Sequence, residues 1–252
     1  MAFEKLLHIT KSSEASEVEV QQLAGLRKLG LEEVIFFHPY NEVNWKERLG
    51  AFGIQATNLT ADGPMIPNLL GVARQEGVSF ISTNIDDQQK GMFRRPYAKD
   101  LIKLSPVPVM LMPQAMEPSD VEQGNMFDHV VFATDWSESC RDVMRYLLKF
   151  KGVIKELEIV HVVEKRLSIK EMRELRYMLS AWRSAFLNSS IDAESHIYAG
   201  KRHEEILLAA KDYNGTCVVM GTSKKSSIKR FIECSCSYRV AEVSPVPTII
   251  VP

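Results

Sequence analysis

A short apolar run followed by a basic loop is the segment in which residue types and spacing could best support ligand chemistry. Residues 218–221 end in glycine, Thr222 follows, and the loop carries Lys224, Lys225, Lys229 and Arg230. In an open parallel sheet, the loop between a strand and the next helix exposes unpaired N–H groups that bind anions. The pattern therefore predicts a local anion site, although a charge run alone more often marks a solvated helix start.

The composition excludes several classes of function. The chain has 252 residues, of which 45% are hydrophobic and 25% charged, as in ordinary soluble globular proteins. Its net charge of -1 gives no broad field that would attract nucleic acid or an anionic membrane. No run approaches the roughly 20 apolar residues of a membrane span, and no cleavable signal pattern opens the sequence. We therefore predict a cytoplasmic protein without a nucleic-acid partner or membrane insertion.

The cysteines and histidines do not form a recognised reactive pattern. Cys140, Cys217, Cys234 and Cys236 lie in the second half and do not resemble a disulfide framework. Packing is the favoured role for them, with a thiol switch at Cys140 and Cys234 left open. The six histidines show no metal-ligand spacing, so we predict no metal site.

Hydrolase and dinucleotide motifs are also missing from the sequence. It contains no G-x-S-x-G elbow, no complete Walker loop and no dinucleotide fingerprint. We predict no catalytic residues. Whether the protein is an enzyme stays open, with a non-enzymatic role favoured.

Apolar runs typical of strands alternate with amphipathic segments along the chain, which predicts a parallel, doubly wound α/β sheet. The pattern then restarts, because residues 127–134 repeat residues 3–10 and residues 244–252 repeat residues 105–113. Several matches in the same order indicate a duplication. We predict domains at 1–113 and 127–252, joined by a polar linker at 114–126.

The two predicted domains differ in their second helix. Met172, Leu175, Leu179, Trp182 and Phe186 form an apolar stripe at helical spacing. The first half has only the short segment 44–52 at the corresponding place. The second domain is therefore expected to be the more complete copy.

These features together resemble the universal stress protein family in its tandem two-domain form. The motifs that carry the resemblance are Ala-Thr134-Asp135-Trp-Ser-Glu, Val-His161-Val162-Val, residues 200–207, Val-Val-Met220-Gly221-Thr222 and the terminal Pro-Val-Pro strand. The resemblance implies two tandem five-stranded parallel α/β sandwich domains of the adenine nucleotide alpha hydrolase-like type. It further implies that they pack as an intrachain pseudo-dimer, with a homodimer and an unidentified protein partner as further expectations.

The resemblance also implies a nucleotide site in the second domain. Nucleotide-binding members of the family hold ATP beside the first and fourth strands, over a loop with three glycines. The matching positions here are Thr134, Asp135, Val162, Met220, Gly221, Thr222 and Ser235. Lys224 and Cys234 replace two of the glycines, which should disturb the phosphate cradle. The alternative roles are a helix N-cap for Asp135 and plain core packing for Val162 and Met220.

The first domain departs further from the family pattern. Aligned from its Ser-Pro-Val-Pro segment, Ser82 stands at the position of Gly221 and Arg95 at that of Cys234. Lys11 replaces Asp135, which reverses the charge beside the base. We predict no nucleotide site of the family type in this domain.

The resulting hypothesis is a stress-response regulatory or binding module that holds AMP, or ATP with Mg²⁺, in its second domain. The first alternative is a protein-interaction module without nucleotide, favoured by Lys224 and Cys234. The second alternative is a slow ATPase, for which the sequence offers no evident general base.

Overall fold

A computed structural model describes residues 3–10, 16–38, 44–60, 64–85, 97–113, 126–222 and 236–252. The chain divides into two compact units, residues 1–125 together with Pro252 (unit 1) and residues 126–251 (unit 2). The predicted linker lies almost entirely outside the described residues. No helix in the described ranges is long and apolar enough to cross a membrane.

Unit 1 is a parallel sheet with intervening helices. Its elements are β1 (Lys5–Ile9), α1 (Glu17–Gly25), a 3-10 helix (Leu26–Leu29), β2 (Glu33–His38), α2 (Trp45–Gly50), β3 (Gln55–Thr60), α3 (Met65–Gln75), β4 (Phe80–Asn84), α4 (Tyr97–Leu104) and β5 (Val109–Met112). The strands pair in the order β3-β2-β1-β4-β5, and every pair is parallel.

Unit 2 repeats this architecture. Its elements are β6 (His129–Thr134), α5 (Glu138–Leu148), β7 (Glu156–Val163), α6 (Ile169–Leu187), β8 (Asp192–Ala199), α7 (Arg202–Asp212), β9 (Cys217–Gly221), α8 (Cys236–Val243) and β10 (Thr248–Val251). The order β8-β7-β6-β9-β10 is that of unit 1, element for element, and all pairs are parallel. The predicted α/β class and two-domain repeat are thus confirmed.

The second helix differs between the units as the sequence predicts. In unit 2, α6 has 19 residues and begins at a capping box, in which Ser168 and Glu171 each accept the other's backbone N–H. In unit 1, α2 has six residues. Its fully buried Trp45 stacks on Phe36 of β2, with ring centroids 4.1 Å apart. One large aromatic side chain thus fills space at this short helix.

The strand register corrects the predicted alignment of the two units. Gly221 lies opposite Val251 on β10. The corresponding neighbour of Met112 on β5 is Asn84, two residues beyond Ser82. Asn84, and not Ser82, therefore occupies the position of Gly221, because unit 1 has a shorter connection between these strands. The prediction that unit 1 lacks the first glycine still holds at the corrected position.

A buried polar network lies beneath α1 in unit 1. His8 stands opposite Ser82 in the parallel register, and the His8 Nδ1 to Ser82 Oγ distance is 2.6 Å. On the other side of the ring, Glu19 Oε1 accepts from His8 Nε2 at 2.7 Å. All three side chains are buried, and Ser82 has no exposed surface. The order serine, histidine, carboxylate occurs in hydrolases, but here the serine is closed to solvent and the network supports the core.

We expect Glu19→Ala to destabilise unit 1 by about 1–3 kcal/mol, because the buried imidazole of His8 would lose its acceptor. Hydrogen exchange of the β1 and β4 amides measures this local stability. The matched control is Glu32→Ala, since that exposed carboxylate lies 4.0 Å from Arg27 and should contribute little. Equal protection in the two variants would contradict the account.

Candidate functional site

The strand order of unit 2 reverses at β6. From β6 the chain passes through α5 to β7 on one side, whereas β9 pairs with β6 on the other side. In open parallel sheets, the loops diverge at such a switch point and leave a crevice at the carboxyl ends of the strands. Thr134 ends β6 at this edge and Asp135 follows it. Gly221 ends β9 beside them and is followed by Thr222. Val162 lies near the end of β7.

Asp135 is an exposed carboxylate held by the first turn after β6. Its Oδ1 accepts the Ser137 N–H at 3.0 Å and the Cys140 thiol at 3.3 Å. Burial raises the pKa of Asp135, but its bonds to Ser137 and Cys140 and the charge of Arg202 lower that pKa below its usual range. The side chain is therefore ionised at neutral pH.

Asp135 is not the N-cap residue of α5, but it makes a capping-type contact immediately before the helix. The N-cap residue of α5 is Ser137, whose hydroxyl makes no capping bond to the helix backbone. Asp135 instead closes a tight turn immediately before the helix, by accepting the N–H two residues on. This turn orients the carboxylate at the strand edge.

The described cysteines are protonated thiols. Burial raises the pKa of Cys140, raises that of Cys217 further, and brings that of Cys236 to about 11. A reactive thiol needs a lowered pKa, so the packing role is favoured at these three positions. Cys234 lies outside the described residues.

An aromatic group packs against Thr134 and the start of the following turn. Trp136 adopts a left-handed backbone conformation with φ of 64°, and its N–H donates to Thr134 Oγ1 at 3.2 Å. Its ring lies 5.4 Å from that of His161 and 4.9 Å from that of Trp182. The buried indole N–H has no hydrogen-bond partner among the described residues. Sequence reasoning gave Trp136 no role beyond its place in the motif.

His161 is a neutral histidine tied to the end of β6. Its Nδ1–H donates to the Thr134 carbonyl at 2.8 Å, which fixes the tautomer. Burial and the charge of Arg202 lower its pKa, and they outweigh the Thr134 bond and the Asp135 charge, which raise it. These contacts give His161 a structural role at the end of β6.

Val162 and Met220 have buried side chains that belong to the core of unit 2. They are 9% and 7% exposed, and they pack in an apolar cluster with residues of β6, α7 and α8. Their side chains thus serve packing, as the alternative role predicted.

Gly221 is required by a close approach between β9 and α5. A Cβ at this position would lie 2.6 Å from Ser139 Oγ and 3.0 Å from the Ser139 carbonyl carbon. Beside it, the Thr222 N–H donates to the Val251 carbonyl at 2.9 Å. The glycine therefore has a packing reason that does not depend on any ligand. Ser235 and Lys224, in the following loop, lie outside the described residues.

Arg202 is a charged residue at this edge that sequence reasoning did not single out. It is the first residue of α7 and forms an ion pair with Glu164 at 2.6 Å. Its charge acts on Asp135, His161 and Cys236. In the sequence, Arg202 lies two residues after Gly200, within one of the motifs that carry the family resemblance. Only the fold shows that its charge acts on Asp135.

We expect Gly221→Ala to destabilise unit 2 by about 1–3 kcal/mol, because the new methyl group collides with Ser139. Ser139→Ala, combined with Gly221→Ala, should recover part of the loss by removing the nearest atom. Urea unfolding of the two single variants and the double variant measures this coupling. If the losses in free energy of unfolding of the two single variants simply add up in the double variant, the contact between these residues does not affect stability.

The stability of unit 2 should also depend on pH through His161. Its pKa is lower in the folded protein than in the unfolded chain, where it is about 6.5, so the unfolded chain binds the proton more readily. The contribution is complete above pH 6.5 and is lost as the pH falls toward the folded pKa. His161→Gln should flatten this decline between pH 6.5 and pH 5 in hydrogen-exchange measurements, whereas His203→Gln should keep it. An unchanged slope in His161→Gln would contradict the assignment.

The family comparison agrees with this architecture. The sequence model of the universal stress protein family matches residues 126–252, which is half of the chain. No curated protein sequence matches the chain.

Solved structures share the fold of the whole chain. A universal stress protein from Archaeoglobus fulgidus DSM 4304 matches 100% of this chain and 98% of its own, with 22% identity and a TM-score of 0.76. A putative universal stress protein from Pseudomonas aeruginosa UCBPP-PA14 matches 99% of this chain and 93% of its own, with 13% identity and a TM-score of 0.71. A universal stress protein from Archaeoglobus fulgidus in complex with dAMP matches 50% of this chain and 99% of its own, with 19% identity and a TM-score of 0.41. The family match over unit 2, together with the repeated fold, places the chain in the universal stress protein family as a tandem member.

Proposed function

We propose that unit 2 binds an adenine nucleotide, AMP or ATP with Mg²⁺, at the carboxyl edge of β6 and β9. The residues assigned to this site are Thr134, Asp135, Val162, Met220, Gly221, Thr222 and Ser235. In this proposal the protein is a cytoplasmic stress-response regulator and not a conventional enzyme. Nucleotide occupancy alters a surface that a second copy of the chain or another protein recognises.

The observation that carries the proposal is an ionised, exposed carboxylate at the switch point of a parallel sheet. Asp135 follows β6, where the strand order reverses, and a turn bond from Ser137 orients it. A carboxylate there can accept hydrogen bonds from the donor groups of adenosine. Hydrogen bonds to charged groups contribute about 1.5–3 kcal/mol, enough to define the orientation of a ligand.

One further feature of this edge suits a nucleotide. Arg202 brings positive charge near Asp135, although it shares that charge with Glu164. The assigned roles of Val162 and Met220 are limited to backbone and apolar surface, since their side chains are in the core.

A protein-interaction module that binds no nucleotide is the second candidate. It is favoured by the packing reason for Gly221, whose contact with Ser139 explains this residue without a phosphate. Lys224 and Cys234, in place of glycines, point the same way. A slow ATPase is less well supported, because the sequence offers no evident general base.

Asp135→Ala should weaken binding of ATP with Mg²⁺ by roughly 10- to 100-fold, as expected from losing a hydrogen bond to a charged group. Isothermal titration calorimetry of the full chain measures this loss. The control is Asp142→Ala, which removes a carboxylate of α5 that pairs with Arg145 at 2.7 Å and lies away from the strand edge.

The titration separates the two candidate functions. Binding by the wild-type chain and by Asp142→Ala, with loss in Asp135→Ala, supports the nucleotide site. Binding that survives Asp135→Ala would overturn the assigned site. No binding of AMP or ATP by the wild-type chain would favour the protein-interaction module.

A further inference from the structure

A cluster of imidazoles and carboxylates lies on three adjacent strands of unit 2. In the parallel register, His129 of β6 stands opposite Glu156 of β7, and Val160 of β7 stands opposite His196 of β8. Residues two apart on a strand share a face, so His129, Glu156, Glu158 and His196 all project from the same side of the sheet. The cluster begins at the amino ends of β6 and β7, away from Asp135.

The side chains in this cluster are in direct contact. Glu158 Oε1 lies 2.9 Å from His129 Nε2, and its Oε2 lies 2.5 Å from His196 Nε2. Ligand atoms of His129, Glu156 and Glu158 lie within 4.8 Å of one another. The carboxylate of Glu158 thus bridges two imidazoles, each through its Nε2 atom.

The outer nitrogens of both histidines have partners as well. His129 Nδ1 lies 3.3 Å from Glu156 Oε2, and His196 Nδ1 lies 3.0 Å from the Tyr213 hydroxyl. The Tyr213 ring also stacks on His196, with centroids 4.4 Å apart. Histidines that bind metals usually donate the other ring N–H to a carboxylate or a similar acceptor, which fixes the ring. Both histidines have such an acceptor in place.

We propose that His129 Nε2, His196 Nε2 and Glu158 form a binding site for a divalent transition metal, with Zn²⁺ as the best fit. Two imidazoles and one carboxylate make a known type of zinc site that leaves a fourth position for water or another ligand. Binding moves the proton of each imidazole from Nε2 to Nδ1, where Glu156 and Tyr213 accept it. Each histidine then offers a lone pair to the metal.

The site must rearrange to accept the ion. Ligand atoms around tetrahedral Zn²⁺, at about 2.0–2.1 Å from the metal, lie roughly 3.3 Å apart. The present separations of 2.9 Å and 2.5 Å from Glu158 must therefore open by less than about 1 Å. His196 lies outside the group whose ligand atoms are all within 4.8 Å of one another, so the two imidazoles must also approach each other by side-chain rotation. Glu158 is 8% exposed, and the two histidines are 18% and 22% exposed, so the ion can enter from solvent.

A bound ion would hold β6, β7 and β8 together and stabilise unit 2 in proportion to its occupancy. Without the ion, the same network places a buried carboxylate between two hydrogen-bond donors, which is a sufficient structural role. Sequence spacing does not reveal the site, because 29 and 38 residues separate Glu158 from His129 and His196. Only the parallel register brings the three side chains together.

The test is titration of the metal-stripped full chain with Co²⁺, as a spectroscopic substitute, and with Zn²⁺ by calorimetry. We expect one ion per chain, with His129→Gln and His196→Gln weakening Zn²⁺ binding by about 100-fold or more, as whole ligands are lost. Tyr213→Phe keeps the ring stack and removes only the outer acceptor, so binding should weaken roughly 10-fold. This conservative variant keeps the test valid if the histidine variants fail to fold.

His203→Gln is the matched control, because this histidine of α7 lies outside the cluster and should leave binding unchanged. The cobalt complex should show visible bands without the near-ultraviolet charge-transfer band of a thiolate ligand. Stoichiometric binding that survives the double variant His129→Gln and His196→Gln would overturn the proposal. A thiolate band, or no binding by the wild-type chain, would do so as well.

Discussion

Parallel pairing of β6 with β7 on one side and β9 on the other is the constraint on which the chemistry of unit 2 depends. It brings the carboxyl ends of the strands to one edge, where Asp135 and Thr222 lie near Gly221. The same register brings His129 and Glu158 into contact near the amino ends of their strands. One strand arrangement thus creates two separate polar clusters, one around Asp135 at the carboxyl edge and the other around Glu158.

The fold was predictable because alternation and duplication are properties of sequence pattern. The register was not, since it depends on loop lengths that a repeat comparison assumes to be equal. Aligning the units from their Ser-Pro-Val-Pro segments put Ser82 at the position of Gly221, whereas the strand pairing puts Asn84 there. The cluster around Glu158 also depends on the register, because its side chains meet only across neighbouring strands. Sequence spacing therefore did not reveal it.

At the carboxyl edge of β6 and β9, residue type alone could not distinguish pocket-lining residues from core residues. Val162 and Met220 satisfy both descriptions, and their burial assigns the side chains to packing. Gly221 likewise fits a phosphate loop and a tight helix contact, and the position of Ser139 supplies the second reason. Asp135 differs from these, since its carboxylate is exposed and ionised, although it also accepts the Ser137 N–H and the Cys140 thiol. The proposed nucleotide site therefore depends most on this residue.

The most direct test of that site is to purify the full chain without added nucleotide, denature it, and identify the released small molecules by mass spectrometry. The account predicts AMP, ADP or ATP at close to one molecule per chain. The same preparation of Asp135→Ala should release none. A wild-type protein that releases no nucleotide, and that gives no heat when titrated with ATP and Mg²⁺, would contradict the account.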